Sequence, residues 1–489
     1  SGELFSVTTN DTHPISNPAV GDIDNDGKPD ILVLDESYRL MAFNNDGTLK
    51  WISSVATAPA SYWKSITIAD IDENGTSEIM IGDNVFNNDG SLRWSKGNSN
   101  SYASMTSCVA KLISGNHPFL LSGNSAYSFD GTIYWRNATV GNGFTAVGDI
   151  DGNGFPEVVV VFNGNTWLLR YDGSIIWGPV VLPSSGGGAP TIADVNDDGI
   201  PEIGIACASN FVVLKSDGSI LWSNITKDTT SNITGSSVFD FEGDGAAELI
   251  YADEEFLRIY KGSDGTELFK ISVGSGTGLE IPVIVDVDND NKAEIVVVSN
   301  DLMHMANPAN PTALNGIVVF GDANDTWVNT RKLWNQHSYH ITNINDDTSI
   351  PQFEADNWGV YNNYRQNQML NPFEVIDLSA SYLRVDHSGF PGSVTMTVRI
   401  GNSGALEIGN SFFVAFYDGN PTSGGILIGT SEIITRLEPG AYVDVNLAWN
   451  TPSSGSHNIY IVADDDGAGH SRLREINEVN NSTYSGFIF

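Results

Sequence analysis

Cysteine is nearly missing from this 489-residue chain: Cys108 and Cys207 are the only two. Both lie in apolar, strand-like stretches (SCVAKLI and IGIACAS), and two such residues make neither a disulfide framework nor a zinc cluster. They read as small buried side chains. Basic residues are scarce as well, 23 Lys and Arg against 60 Asp and Glu, for a net charge of -37. A surface of that sign repels phosphate backbones, which argues against nucleic acid and anionic membranes as partners. No apolar run approaches the roughly 18 residues of a membrane span, so no transmembrane segment is expected. The first residues, SGELFSVTTN, lack the basic and apolar regions of a signal peptide and read as a mature or trimmed form.

Glycine, by contrast, is abundant (50 residues), and with Asp, Asn, Ser and Thr it points to turn-rich all-β structure. The acids are not scattered. GDIDNDGKPD at 21–30 opens a series with the pattern Asp-x-Asp-x-Asp/Asn-Gly-x-x-Asp/Glu. The ligand positions of the first three loops are Asp22, Asp24, Asp26 and Asp30; Asp70, Asp72, Asn74 and Glu78; and Asp149, Asp151, Asn153 and Glu157. Those of the next three are Asp194, Asn196, Asp198 and Glu202; Asp240, Glu242, Asp244 and Glu248; and Asp286, Asp288, Asp290 and Glu294. Neighbouring copies are 45 to 48 residues apart, except for 79 between Asp70 and Asp149. The missing copy is found by aligning Cys108–Asn116 with Thr67–Gly75, which puts Lys111, Ile113, Gly115 and, beyond the aligned stretch, Phe119 in the ligand positions. No metal is expected there.

A second signal keeps the same period. NNDGTLKW ends at Trp51, NNDGSLRW at Trp94, SFDGTIYW at Trp135, RYDGSIIW at Trp177 and KSDGSILW at Trp222. SDGTELF at 263–269 and a worn GDANDTW at 321–327 extend the series to seven. Asp-Gly between apolar strands is a hairpin signal, because the turn needs positive φ. Each unit therefore predicts four strands, and seven units of 40 to 48 residues predict a seven-bladed β-propeller. GELFSVTTNDT, with Phe5 in the Trp place, is expected to complete the seventh blade and close the ring.

These units resemble FG-GAP/VCBS repeats, the family of the integrin α-subunit propeller, over about residues 12 to 327. The loops offer hard oxygen donors without His or Cys, and the ligand number favours Ca²⁺ over Mg²⁺. About six structural Ca²⁺ sites, each bracing one blade, are expected. In the last loop Asn291 replaces the turn glycine, as asparagine tolerates a left-handed backbone.

After Trp327 the repeats stop, and 328–372 forms a segment of its own rich in aromatic and imidazole groups. Arg331, Trp334, His337, Tyr339 and His340 are candidate ligand-binding residues there, with Trp358, Tyr361, Tyr364 and Arg365 following. Three readings stand: a cap or strut, a glycan- or partner-binding surface, and an active site. In the last, a His with Tyr339 and Arg331 abstracts a proton from a uronate, as a polysaccharide lyase does. Residues 373–489 alternate apolar and polar in VTMTVRIGN, FFVAFYDGN and HNIYIVADDD, which predicts an immunoglobulin-like β-sandwich. VTMTVRIGNSG and REINEVNN resemble CARDB-type adhesion modules. Asp464, Asp465, Asp466, Glu475 and Glu478 are a further candidate cation cluster, and STYSGFIF a candidate strand for pairing with a neighbouring subunit. Sequons at Asn10, Asn74, Asn137, Asn224, Asn232, Asn324, Asn480 and Asn481 fit an extracellular glycoprotein.

The domain reading is thus 1–327 propeller, 328–372 insert or cap, and 373–489 sandwich. Every strong motif is architectural. A secreted or cell-surface, calcium-binding adhesion or structural protein is expected, partnered by a surface protein, a glycan or like subunits in a homo-oligomer or filament. A glycan-active propeller enzyme using 331–340 is the rival.

Overall fold

The computed structural model describes residues 16–57, 64–96, 106–113, 115–306, 315–324, 326–370, 377–404, 408, 411–469, 473 and 480–489. The fold is all-β; among the described residues the only α-helical pieces are the short Leu302–Ala306 and Asn357–Val360.

Strands Ala19–Gly21, Asp30–Leu34, Arg39–Phe43 and Leu49–Ala56 form the first antiparallel sheet, in chain order. Five more four-stranded sheets follow the same order, beginning at Thr67, Cys108, Phe144, Thr191 and Ser237. A seventh, Val283–Val285, Glu294–Ser299 and Gly316–Phe320, has three strands. The β-branched runs explain the order within each sheet. EVVVVF at 157–162 is buried almost throughout, as strands covered on both faces are, whereas IIWGPVV at 175–181 lies mostly in solvent. First strands of successive sheets pack on one another, and Asn17 Nδ2, just before the first sheet, donates at 3.0 Å to the carbonyl of Leu279, just before the seventh. The expected ring-closing strand around Phe5 lies outside the described residues.

The structure explains why tryptophan and Asp-Gly keep one period. Each tryptophan reaches into the next unit. Trp94 Nε1 donates to Phe129 O at 2.9 Å, Trp135 to Tyr171 O at 2.9 Å, Trp177 to Ser216 O at 2.8 Å and Trp222 to Gly262 O at 2.6 Å. The ring then covers the turn glycine. At Gly90 (φ +80°) an added Cβ would stand 2.6 Å from the Trp51 ring, so position and backbone both require glycine. The hairpin motif is therefore also a docking motif between units.

The C-terminal domain is a two-sheet sandwich. Leu378–Asp386, Ser393–Asn402 and Tyr442–Asn450 face Ile426–Ile433, Phe412–Asp418, Ser456–Ala463 and Ser482–Ile488. Met396, Val398, Ile400, Phe412, Val414, Phe416, Ile459 and Ile461 fill its core. The final strand pairs along Ser456–Ala463 within its own domain. Cys108 and Cys207 are free and buried, and burial pushes both thiols up to about 12.

Candidate metal loops and the central segment

Each acidic loop joins the first strand of a sheet to the second, and its backbone aims the carboxylates. The position-1 aspartate accepts from the N–H groups of positions 5 and 6: Asn153 N and Gly154 N reach Asp149 at 3.0 and 2.8 Å, and Asp244 N and Gly245 N reach Asp240 at 3.1 and 2.8 Å. The position-9 acid accepts from the position-2 N–H, as at Ile150 to Glu157 (2.9 Å) and Val287 to Glu294 (2.9 Å). Asn291 takes φ +71°, the left-handed conformation expected where it replaces glycine.

Five loops bring three acids together, with one oxygen from each within 4.8 Å of the others. They are Asp22, Asp24, Asp30; Asp70, Asp72, Glu78; Asp149, Asp151, Glu157; Asp240, Glu242, Glu248; and Asp286, Asp288, Asp290. The remaining predicted ligands sit differently. Asp26, Asn74, Asn153, Asp198 and Asp244 each accept from an N–H two residues on, at 2.8 to 3.0 Å. Asn196 turns its amide toward Glu202, with Nδ2 to Oε1 at 2.8 Å, and Glu294 stays outside its loop's triad. At the unit without ligands, Lys111 and His117 bind Glu73 of the neighbouring loop, at 2.8 and 3.0 Å. The Lys111 ammonium thus sits on a carboxylate of the neighbouring loop.

The donor sets are all oxygen and carry excess negative charge. Burial, then the neighbouring carboxylates, hold Glu157 and Glu202 at about 7. Asp70 and Glu248 are pushed up for the same reasons. Such sites fit a hard divalent cation. The sign of the pH effect follows. A carboxyl raised from 4.5 to about 7 on folding contributes stability below its unfolded value and loses it as pH climbs through 7. In chelator, the melting temperature is expected to fall between pH 5 and 8, and calcium is expected to abolish that fall. A chelated protein with a flat profile would contradict this.

Two groups escaped the sequence reading. Lys50 Nζ lies 2.6 Å from Asp24 and 2.8 Å from Asp30, and Arg93 lies 2.5 Å from both Asp72 and Glu78. Their signal was a basic residue immediately before Trp51 and Trp94.

The 328–370 segment bonds to every unit. Val20 N donates to Asn335 O (2.9 Å), Ile68 N to Gln336 Oε1 (2.8 Å), and Trp358 Nε1 to Lys111 O (3.0 Å). Asn362 brackets Asp149, accepting from its N–H at 2.8 Å and donating to its carbonyl at 2.9 Å. Tyr364 and Ile192 exchange backbone bonds, Val238 N reaches Arg365 O (3.1 Å), and Asn367 Nδ2 reaches Ile284 O (2.7 Å). Five of the seven first strands, and the residue just after each of the other two, thus find partners on one segment.

The five candidate residues of 331–340 turn into this tie. Arg331, His337, Tyr339 and His340 are 0 to 5% exposed. Arg331 pairs with Asp346 and donates to Ile341 O at 2.9 Å, and Tyr339 Oη donates to Asn367 Oδ1 at 2.7 Å. Trp334, half-buried, stacks on Tyr339 with centroids 4.5 Å apart. Burial and the Arg365 charge hold His337 neutral, well below its usual range. Burial opposes the charge on His340, but Glu354 outweighs it and raises its pKa. In the C-terminal cluster, Asp464 accepts from Leu473 N (2.6 Å) and Asp465 from the Tyr417 hydroxyl (2.7 Å); Glu475 and Glu478 lie outside the described residues. The sequon amides of Asn137 and Asn224 donate to Gly173 O and Gly265 O at 2.9 and 2.5 Å.

Comparison with known proteins agrees with this architecture. The FG-GAP-like repeat family matches residues 22–81, 149–205 and 211–297, and the CARDB family matches 377–485. The unmatched interval 82–148 holds the unit that lost its ligands. No curated protein sequence matches the chain. Among solved structures, the Vibrio cholerae biofilm matrix protein Bap1 is 17% identical, with 72% of this chain and 84% of that one covered at a TM-score of 0.61. The CARDB domain of a Pyrococcus furiosus protein, in complex with di-metal ions, is 20% identical over 24% of this chain and 90% of that one (TM-score 0.19). A Bacillus licheniformis rhamnogalacturonan lyase is 18% identical over 63% and 57% (TM-score 0.31). The first likeness is one of fold, and the other two are too loose to carry an argument.

Proposed function

Since the chain carries FG-GAP-like repeats across 22–297 and a CARDB domain at 377–485, we propose that it is a calcium-braced, seven-bladed propeller with an adhesion module, working as a secreted or cell-surface structural protein. The observation that carries this reading is the fate of the 331–340 cluster. Its imidazoles, phenol and guanidinium, the groups a uronate lyase would need, are buried, and Arg331, Tyr339 and His340 are bonded to Ile341, Asn367 and Glu354 of their own segment. What is left for the outside is an acidic surface studded with oxygen-donor loops, joined to a sandwich module. Such a body serves as a spacer or adhesive unit toward a surface protein, a glycan or like subunits. The fold it has in common with a biofilm matrix protein supports the same direction.

Two measurements test this on the intact chain: sedimentation and surface adhesion with and without calcium, and turnover of uronate-containing polysaccharides. Adhesion or self-association without unsaturated product is expected. Robust lyase turnover that disappears in His337→Ala or His340→Ala would replace this reading with the enzymatic one.

A further inference from the structure

The residue before the unit's tryptophan, or its Phe269 equivalent, runs Lys50, Arg93, Tyr134, Ile176, Leu221, Leu268 along the chain. Only the first two are basic, and each reaches back across its own sheet to the acidic loop of its own unit. Lys50 Nζ lies within 2.8 Å of both Asp30 oxygens and 2.6 Å from Asp24, where an oxygen-bound ion would meet the same carboxylates. Arg93 forks between Asp72 and Glu78, with both contacts at 2.5 Å. Among the described residues, no lysine or arginine pairs with the carboxylates of the loops at Asp149, Asp194 or Asp240. At Asp286 the nearest is Lys332, at 4.0 Å.

The first of these loops touches the C-terminal domain directly, and the second reaches it through the 328–370 segment. Arg399 Nη1 donates to Gly27 O at 3.1 Å and its guanidinium covers that glycine, while the Tyr382 ring brings its hydroxyl against Asp22. Gln352 Nε2 donates to Glu73 O at 3.0 Å, Asn25 Nδ2 ties the first loop to Gly75 O of the second at 2.5 Å, and Phe353 stacks on Tyr484 at 4.3 Å. A loop that must hold a neighbouring domain gains from a charge that cannot dissociate. A divalent ion entering beside a held ammonium or guanidinium would meet like-charge repulsion at close range.

We propose that Lys50 and Arg93 are built-in cations that take the place of calcium in the first two loops, so the joint with the C-terminal domain is independent of calcium while the loops at Asp149, Asp194, Asp240 and Asp286 respond to it. This rests on the calcium reading above and divides its sites into two classes. The test counts ions on the intact chain by native mass spectrometry and equilibrium dialysis, with calcium alone as the probe. The wild type is expected to take about four ions. The double variant Lys50→Met, Arg93→Met is expected to take two more, and Ile176→Lys, which moves the base to the Asp149 loop, one fewer. Six ions on the wild type, or no gain in the double variant, would overturn the division while leaving calcium bracing intact. No calcium on any form would overturn the bracing as well. If the double variant does not fold, the wild-type count and Ile176→Lys still decide.

Discussion

Arg365→Ala is expected to lower the unfolding free energy by about 4 kcal/mol, the scale of a large buried side chain lost together with its hydrogen bonds. Among the described residues Arg365 is the largest fully buried side chain, at 1% exposure, and no carboxylate pairs with it there. Its charge is met by carbonyl dipoles instead: Nε donates to His337 O at 3.1 Å and Nη1 to Pro190 O at 2.5 Å, with the guanidinium 5.0 Å from the Tyr364 ring centre. Its backbone continues the tie, accepting from Val238 N and donating to Tyr339 O at 3.1 and 3.2 Å. Alanine leaves two buried carbonyls without donors and a cavity where the segment meets the fifth and sixth units. Arg365→Met keeps most of the volume and removes only the donors, so it should fall between, at about 1–3 kcal/mol. Exposed Arg170→Ala should stay within roughly 0.5 kcal/mol. Denaturant unfolding followed by circular dichroism reads all three. An unchanged midpoint for Arg365→Ala would show that the segment does not hold the units together.

The repeats were legible in the sequence because their physics is local. Asp-x-Asp-x-Asp-Gly fixes a loop through hydrogen bonds within nine residues, and Asp-Gly fixes a hairpin within four. The unit that lost its ligands could be found for the same reason. Its ion pairs, Lys111 and His117 on Glu73, could not, because the partner stands in another unit. The 328–370 segment resisted for a related reason. Asn335, Asn362 and Asn367 read as an Asn-rich loop until the strands whose carbonyls and amides they meet are in place. Trp334, His337 and His340 left a cap or strut, a binding surface and an active site all open, because aromatic and imidazole groups serve sites and cores alike; burial separates them, and the periodicity of a non-repeating stretch carries none of it. Lys50 and Arg93 were in plain view as LKW and LRW, but meaning attaches to them only once the paired strands lay that position over the loop.

On the calcium reading proposed above, the second large effect is expected from the ion. Each site held at a calcium concentration about 100-fold above its dissociation constant adds about 2.7 kcal/mol to the folded state, so about four sites add roughly 11 kcal/mol. For a domain of this size that corresponds to a shift on the order of 10 °C. The physical origin is the repulsion among Asp149, Asp151 and Glu157, and their counterparts in the later loops, which desolvation sharpens and a divalent ion removes. The loss should concentrate in the fourth to seventh units and spare the sandwich, whose described residues bring no such acidic triad together. Scanning calorimetry of the intact chain at pH 7.5, in millimolar calcium and again in excess chelator, tests the account most directly. It predicts a propeller transition lower by on the order of 10 °C in chelator and restored by added calcium. The same melting temperature in both buffers would contradict it.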